Sequence, residues 1–227
     1  GAFVFQNTPL RKFVSPAHVR WIGEGAFSDC QSLETVRLHD GLKSLGDHLE
    51  EQGQIGAFEN SALTEVSLPG SLQRINRRTF KSCANLDSVV INEGVTSLES
   101  ECFCGTGIRS IAIPSTVELI REGAFRECQR LTDLQIPRDG RLEAIEDGAF
   151  MNTGIREFVA PDALVSLGQG AFARCGELRT VQLNSQLQLL GSMKKYQLPG
   201  IFQETQISRI EIPELVKAIP ESCFEGC

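Results

Sequence analysis

The hydrophobic positions of this 227-residue chain recur in a short pattern rather than in one long apolar face. A leucine or isoleucine is followed three residues later by a second apolar residue and two residues after that by a third, as in "LETVRL" (33–38) and "LTDLQI" (131–136). Alternation of apolar and polar residues with period two is typical of a short strand with one buried face. Nine such segments, the last being "ISRIEI" (207–212), predict nine strands.

Each of these segments follows a phenylalanine, and we call these residues the landmark phenylalanines. They are Phe5, Phe27, Phe58, Phe80, Phe103, Phe125, Phe150, Phe172, Phe202 and Phe224. Three residues after the landmark, cysteine alternates strictly with threonine or serine, so we predict that the structural unit is a pair of repeats. A second apolar pair, such as Leu164 with Leu167, precedes the next landmark and predicts a short second strand.

Proline marks one of the two repeat types. The segments after the Thr/Ser-type landmarks all run into a proline, whereas those after the Cys-type landmarks meet histidine, asparagine or proline. Proline has no backbone N–H and cannot donate to a strand ladder, so pairing is expected to end there. These prolines are Pro16, Pro69, Pro114, Pro161 and Pro213.

Repeats of this length cannot close a core alone. A unit of 22 residues must stack on its neighbours to bury its apolar face. Stacking places the strands side by side in a parallel sheet at a spacing of about 4.8 Å and makes the landmark phenylalanines an internal spine.

The combined pattern L-x-x-V-x-L-P-x-x-V-x-x-I-G-x-G-A-F-x-x-C, as it stands in residues 63–83 and 108–128, resembles the leucine-rich repeats of the BspA-like type. The resemblance covers essentially the whole chain. It implies a single leucine-rich repeat domain over residues 1–227, an α/β solenoid with one parallel β-sheet on the concave face. Short second strands and helical turns are expected elsewhere, in about ten coils. The chain starts inside one repeat ("GAFVFQNT") and stops inside another ("ESCFEGC") without a polar cap, so we expect it to be an excerpt of a longer chain.

Composition narrows the classes of partner. The net charge of −7 is spread over both halves and gives no basic face, which argues against nucleic acid. No apolar run approaches the roughly 18 residues of a membrane-spanning helix, so we expect no membrane insertion by this segment.

The eight cysteines are interpreted as buried, unbridged side chains. Five occupy one position in alternate repeats, which places neighbours about 10 Å apart and beyond the reach of a disulfide. Cys102 and Cys104 lack the partner pair that a metal site needs, so no metal is predicted. Free thiols favour a reducing compartment, whereas the family resemblance favours the cell surface or secretion.

No arrangement of catalytic residues is apparent. His18, His39 and His48 fall at three different repeat positions, and no Gly-rich loop stands between a strand and a helix. We therefore expect neither a catalytic site nor a cofactor.

Three regions are candidates for binding. The first comprises two insertions, 46–54 and 191–200, of which the second carries Lys194, Lys195 and Tyr196. Insertions at one repeat position map to loops on one face, although loops also accept length at little cost.

The second candidate is a basic stretch on the concave face, formed by Arg109, Arg156 and Arg179. Acidic neighbours, namely Asp87, Asp133 and Glu157, could neutralise it. The third candidate is Trp21, which is expected to point away from the core, either as an interface anchor or packed beneath another repeat.

These observations lead to one main functional hypothesis and two alternatives. The resemblance implies a non-enzymatic interaction or adhesion module that binds a protein or glycoconjugate partner. The alternatives are a structural brace in a multi-subunit assembly and the regulatory repeat domain of a larger enzyme.

Overall fold

The computed structural model describes residues 1–46, 55–191 and 198–227. The chain winds into a β-solenoid in which two columns of very short parallel strands alternate along the sequence. The first column contains β1 (Lys12–Val14), β3 (Thr35–Arg37), β5 (Glu65–Leu68), β7 (Ser88–Ile91), β9 (Ser110–Ala112), β11 (Asp133–Gln135), β13 (Glu157–Val159) and β15 (Thr180–Gln182). The second column contains β2 (Trp21–Ile22), β4 (Ser44–Leu45), β6 (Arg74–Ile75), β8 (Ser97–Leu98), β10 (Leu119–Ile120), β12 (Ala144–Ile145), β14 (Ser166–Leu167) and β16 (Leu189–Leu190).

The period-two pattern explains the orientation of the first-column strands. In β13, Phe158 points inward and is buried, while Glu157 and Val159 on either side of it are exposed. Parallel register keeps like residues in rows, as where Val66 lies beside Val89. The apolar rows form one core that runs the length of the solenoid.

The expectation that the first-column strands form one continuous parallel sheet was wrong. The first column is divided into three sheets, β1-β3-β5-β7, β9-β11 and β13-β15. The longest unbroken sheet lies instead in the second column, where six strands pair from β6 to β16.

Tight turns replace the expected helical turns around the landmark phenylalanines. In the described residues the only helical element is a 3₁₀ turn, Gly70–Leu72. Around Phe125, Gly123 and Glu127 have positive φ, and the Phe125 N–H donates to the carbonyl of Ala149 in the next coil. A helix does not form because alternate N–H groups bond the neighbouring coil instead of the carbonyl four residues back.

The landmark phenylalanines form the expected internal spine. All ten rings stack in sequence, and successive ring centroids lie 5.1 to 6.0 Å apart. Eight of them, from Phe27 to Phe202, are almost completely buried.

The prediction of about ten coils overcounted, because the chain completes about seven turns. Phe5 precedes the first strand, and residues 198–227 contain two landmarks but no strand. The ninth predicted strand, 207–212, is therefore not formed, and its central Ile210 is only partly buried. Each landmark phenylalanine marks one tight turn, and the turns at the two ends of the solenoid stack without belonging to a complete coil. The number of landmarks therefore exceeds the number of complete turns of the solenoid.

The paired repeat unit is visible in the strand pairing. We call a Thr/Ser-type coil and the Cys-type coil that follows it a doublet. Within doublets the first-column strands pair over their whole length, as β9 does with β11 and β13 with β15. Between doublets, β3 and β5 share one pair, whereas β7 and β9 are unpaired, as are β11 and β13.

Candidate functional site

The outward side of the first-column strands, here called the first-strand face, carries three of the predicted site residues. Arg109, Arg156 and Arg179 are all exposed and follow the leading apolar residue of their coils. Arg156 and Arg179 belong to successive coils, because the carbonyl of Arg156 accepts the N–H of Arg179 at 3.0 Å. The structure thus brings these arginines into one row on one face.

Neutralisation of this row is incomplete. Arg179 is engaged, since its Nε donates to Gln206 (3.1 Å) and its guanidinium lies 3.7 Å from Glu177. Asp133 accepts a hydrogen bond from Gln135 at 2.8 Å. Within the described part of the chain, Arg109 and Arg156 form no ion pair or side-chain hydrogen bond. Asp87, Asp133 and Glu157, the acidic residues that could neutralise the row, form no ion pair with these two arginines in the described residues.

A groove of about 330 Å³ opens on the same face between β11 and β13. Apolar and charged side chains both line it, and Arg156 is among them. The lining residues are Thr132, Asp133, Leu134, Ile136, Arg156, Glu157, Phe158 and Val159.

The groove lies where two doublets meet, and we call this boundary the β11/β13 seam. Pro161 follows β13 and has no N–H to donate toward the preceding coil, whereas Asn92, at the equivalent position of a Cys-type coil, donates to Leu68 at 3.0 Å. Gly154, at the start of the coil, packs closely against the preceding one, and a Cβ there would lie 2.8 Å from the carbonyl oxygen of Gln129. The two coils therefore touch before the strands begin and are unpaired along the strands.

Sequence reasoning missed one exposed arginine, which comes two residues before the groove-lining Thr132. Arg130 is exposed and, within the described ranges, has no charged or hydrogen-bonded side-chain partner. It directly precedes the leading Leu131, and the same place holds Gly107 and Gly154 in the coils on either side. Alignment on the leading leucine, rather than on the phenylalanine, would have placed Arg130 next to the arginine row.

Trp21 lies apart from this cluster. It is in β2 of the second column, is 65% exposed and pairs in register with Ser44. The outward orientation expected for Trp21 is confirmed, but the structure does not bring it together with Arg109, Arg156 or Arg179.

The remaining predicted site residues, Lys194, Lys195 and Tyr196, lie outside the described residues, as do most positions of the insertions 46–54 and 191–200.

The cysteines are held as free thiols, seven of them buried. Burial raises the pKa of Cys83, Cys128 and Cys223 to about 11 and also raises the pKa of Cys102 and Cys175. A buried thiol with a raised pKa is a poor nucleophile and a poor metal ligand. The described ranges contain no cluster of three or more His, Cys, Asp or Glu side chains with metal-binding geometry. They also contain no helix with the length and apolar character required to cross a bilayer.

The repeat geometry agrees with comparison to known proteins. The family model for the BspA-type leucine-rich repeat region matches in six copies, over residues 1–55, 50–179 and 143–227. The chain belongs to the BspA-type leucine-rich repeat family. The short second strands of this BspA-type chain were predicted from its second apolar pairs, whereas the scarcity of helix in the described ranges is given by the structure alone. The comparison with curated proteins gives no match.

Solved structures share the fold of this BspA-type repeat. A leucine-rich repeat protein from Bacteroides ovatus is 25% identical with a TM-score of 0.64, over 90% of this chain and 55% of that one. A leucine-rich cell surface protein from Faecalibacterium prausnitzii is 24% identical with a TM-score of 0.55, over 100% and 67% of the two chains. The pneumococcal vaccine antigen PcpA is 16% identical with a TM-score of 0.57, over 91% and 57%. The chain thus spans about half the length of the Bacteroides protein.

Proposed function

We propose that this chain is a non-enzymatic interaction module that binds a protein partner through its first-strand face. Its support is the pair of exposed arginines, Arg109 and Arg156, which have no ion-pair partner in the described residues. Arg156 lines a partly apolar groove, and Arg109 is bonded through its carbonyl to the groove-lining Thr132. Exposed charges that a fold does not neutralise are available to steer and orient a partner, and Arg is enriched at protein interfaces.

Adhesion at a cell surface is the form of this function that family membership favours. The raised pKa values of the buried thiols are compatible with that setting, because such thiols resist oxidation outside a reducing compartment.

The proposal is tested by affinity capture with the whole chain immobilised and native extract as the source of partners. The unaltered chain is compared with the charge-reversed variant Arg109→Glu/Arg156→Glu. The matched control is Arg174→Glu/Arg209→Glu, which reverses two exposed arginines that pair with Glu204 and Glu211 and do not line the groove.

We expect the unaltered chain and the control to recover the same proteins and the charge-reversed variant to lose them. Equal recovery by all three chains would move the site away from the arginine row. Absence of any specifically recovered protein would refute the interaction function itself.

A second capture experiment addresses the other two candidate regions. One variant carries Trp21→Ala, and another has both insertions shortened. Loss of the partner with Trp21→Ala alone would favour the structural-brace alternative, in which Trp21 anchors a subunit interface.

A further inference from the structure

Three arginines without ion-pair partners in the described residues lie on three successive coils: Arg130 and Arg156 on the two coils that meet at the β11/β13 seam, and Arg109 on the coil before them. Arg109 stands just before β9, Arg130 before β11 and Arg156 before β13. None of the three forms an ion pair or a side-chain hydrogen bond within the described ranges. Successive coils of a parallel stack are about 4.8 Å apart, so the three positions span about 10 Å.

The backbone fixes these positions. The carbonyl of Arg109 accepts the N–H groups of Thr132 at 3.0 Å and Asp133 at 3.3 Å, which joins the first two coils of the cluster. The third coil is pressed against the second at Gly154, two residues before Arg156. The arginines are thus attached to a rigid stack rather than to a free loop.

The seam also leaves backbone groups open. Where the first two doublets meet, the N–H of Thr64 donates to the carbonyl of Glu34 at 3.5 Å. The equivalent N–H at the β11/β13 seam belongs to Arg156, and it has no acceptor among the described residues. The Arg156 N–H is thus a backbone donor that could bind a carbonyl of an extended segment lying along the seam.

The groove beside the arginines is partly apolar. Leu134 and Ile136 are half-buried, and Val159 is 43% exposed. Apolar side chains next to a row of positive charge fit a ligand that alternates acidic and apolar groups. An extended peptide has this alternation, because its successive side chains point to opposite sides.

We propose that the β11/β13 seam binds an extended acidic peptide segment of the partner protein. Its carboxylates pair with Arg109, Arg130 and Arg156, and an apolar side chain packs against the exposed Val159. This inference rests on the proposed interaction function and specifies the chemistry of the partner. A bidentate arginine–carboxylate pair supplies both the attraction and the orientation.

Glu157 and Asp133 limit how many acidic residues the bound peptide can carry. Asp133 is already hydrogen-bonded to Gln135, but Glu157 remains unpaired within the described ranges and faces the same groove. A ligand with carboxylates at every position would be repelled by Glu157. We therefore expect alternating acidic and apolar residues to bind better than uninterrupted acidic runs.

The test is fluorescence anisotropy with labelled ten-residue peptides and the whole chain. The main probe alternates glutamate and valine, and its matched control alternates lysine and valine. We expect the glutamate peptide to bind at least about tenfold more tightly than the lysine peptide, with an affinity that falls as salt is raised, because screening weakens exposed charge pairs. Equal affinity for the two peptides would overturn the proposal.

Alanine variants of the three arginines test whether the glutamate peptide binds at the seam. Arg109→Ala/Arg130→Ala/Arg156→Ala is expected to weaken binding of the glutamate peptide at least about tenfold, since each lost charge-assisted hydrogen bond removes part of the affinity. Arg174→Ala/Arg209→Ala, whose arginines pair with Glu204 and Glu211 and do not line the groove, should bind like the unaltered chain. Similar binding by the triple variant and the unaltered chain, with both shown to be folded by circular dichroism, would contradict the assignment.

Two further outcomes separate this inference from the proposed function. A glutamate peptide whose backbone amides are replaced by esters, which have weaker acceptor carbonyls, should bind more weakly than the unmodified peptide. Equal binding of the two, together with tight binding of dextran sulfate, would overturn the peptide assignment in favour of an anionic glycan. If affinity capture recovers a partner but no acidic peptide binds, the interaction function stands and the proposed ligand chemistry fails.

Discussion

Cys128 and Thr106 share one backbone carbonyl in the core. The Sγ atom of Cys128 lies 3.2 Å from the Thr106 hydroxyl and donates to the carbonyl oxygen of Phe103 at 3.0 Å. The same arrangement joins Thr153 with Cys175, and related contacts occur in the other three doublets. The strict alternation of cysteine with threonine or serine therefore has a structural counterpart, since in each doublet the thiol of one coil donates to a carbonyl of the preceding coil and lies beside that coil's hydroxyl.

Removing the thiol should destabilise the stack. We expect Cys128→Ala to lower the free energy of unfolding by about 1 to 2 kcal/mol, because it deletes a buried hydrogen bond and leaves a small cavity. Urea denaturation followed by circular dichroism measures the change. The matched control is Cys227→Ala, which removes the same pair of contacts at an exposed position. An equal loss in both variants would show that burial is not responsible.

The buried thiols should be almost unreactive in the folded chain. With the pKa of Cys83 and Cys128 raised from 9.0 to about 11, only roughly one thiol in a thousand at each site is ionised at pH 8. A colorimetric thiol titration should detect little beyond the exposed Cys227 before unfolding and all eight cysteines after it. Detection of only four thiols in the unfolded, unreduced chain would reveal disulfides that contradict the free-thiol ladder.

The same thiols should make the free energy of unfolding depend on pH in the alkaline range. The unfolded chain releases these protons near pH 9, while the folded chain retains them to about pH 11, so the free energy of unfolding should fall as pH rises through that window. Thermal denaturation at pH 8, 9 and 10 measures the effect. The control is Cys83→Ala/Cys128→Ala, whose melting temperature should fall less over the same range. A steeper fall in this variant would assign the pH dependence to other groups.

His39 follows β3 at the repeat position that asparagine, such as Asn184, occupies after the strands of other Cys-type coils. Its Nε2 donates to the carbonyl of Val19 at 2.7 Å, and its Nδ1 accepts the N–H of Gly41 at 2.9 Å. Asn184 makes the equivalent contacts, donating to Leu164 at 3.0 Å and accepting the N–H of Gln186 at 2.8 Å.

This equivalence predicts that His39→Asn is tolerated. We expect His39→Ala to lower the free energy of unfolding by about 1 to 3 kcal/mol, because it leaves the Val19 carbonyl and the Gly41 N–H without partners. His39→Asn should recover most of that loss in the same urea denaturation experiment. A His39→Asn variant as unstable as His39→Ala would mean that the imidazole ring packs in a way that an amide cannot replace.

The seams between doublets should be visible in hydrogen exchange. The N–H groups of Thr132 and Arg179 donate to carbonyls within their doublets at 3.0 Å, whereas those of Arg109 and Arg156 have no acceptor among the described residues. Exchange measured by NMR should therefore be faster for Arg109 and Arg156 than for Thr132 and Arg179. Similar protection of all four would indicate that the strands pair across the seams in solution.

Much of the fold was accessible from sequence because its determinants are local and repeated. The spacing of the landmark phenylalanines predicted the spine, and the alternation around residues such as Phe158 predicted which side chains are buried. The cysteine alternation predicted the doublet. The prediction of helical turns was wrong because the sequence does not show whether a backbone N–H bonds within its own coil or to the next coil. The predicted number of coils was wrong because the sequence does not show whether a terminal repeat such as 207–212 pairs with a neighbouring strand.

The candidate site was only partly accessible. The exposed row of Arg109, Arg156 and Arg179 followed from periodicity, but the sequence could not say that Arg179 is paired and the other two are not. Ion pairing depends on side-chain positions across coils, which lie more than twenty residues apart in the chain. Arg130 was missed for a different reason, since alignment on the landmark phenylalanine, rather than on the leading Leu131, did not bring it next to the arginine row.

The sequence by itself determined the repeat, the buried rows and the paired unit, because each depends on side chains that recur at fixed spacing within a coil. The tertiary structure alone decided where the sheet divides. Gly154 approaches the coil below it, and Pro161 withholds a hydrogen bond, so the strands between them remain unpaired although their sequence matches the pattern. Strand pairing depends on the separation and relative orientation of two neighbouring backbones, and this geometry is set only when the coils stack.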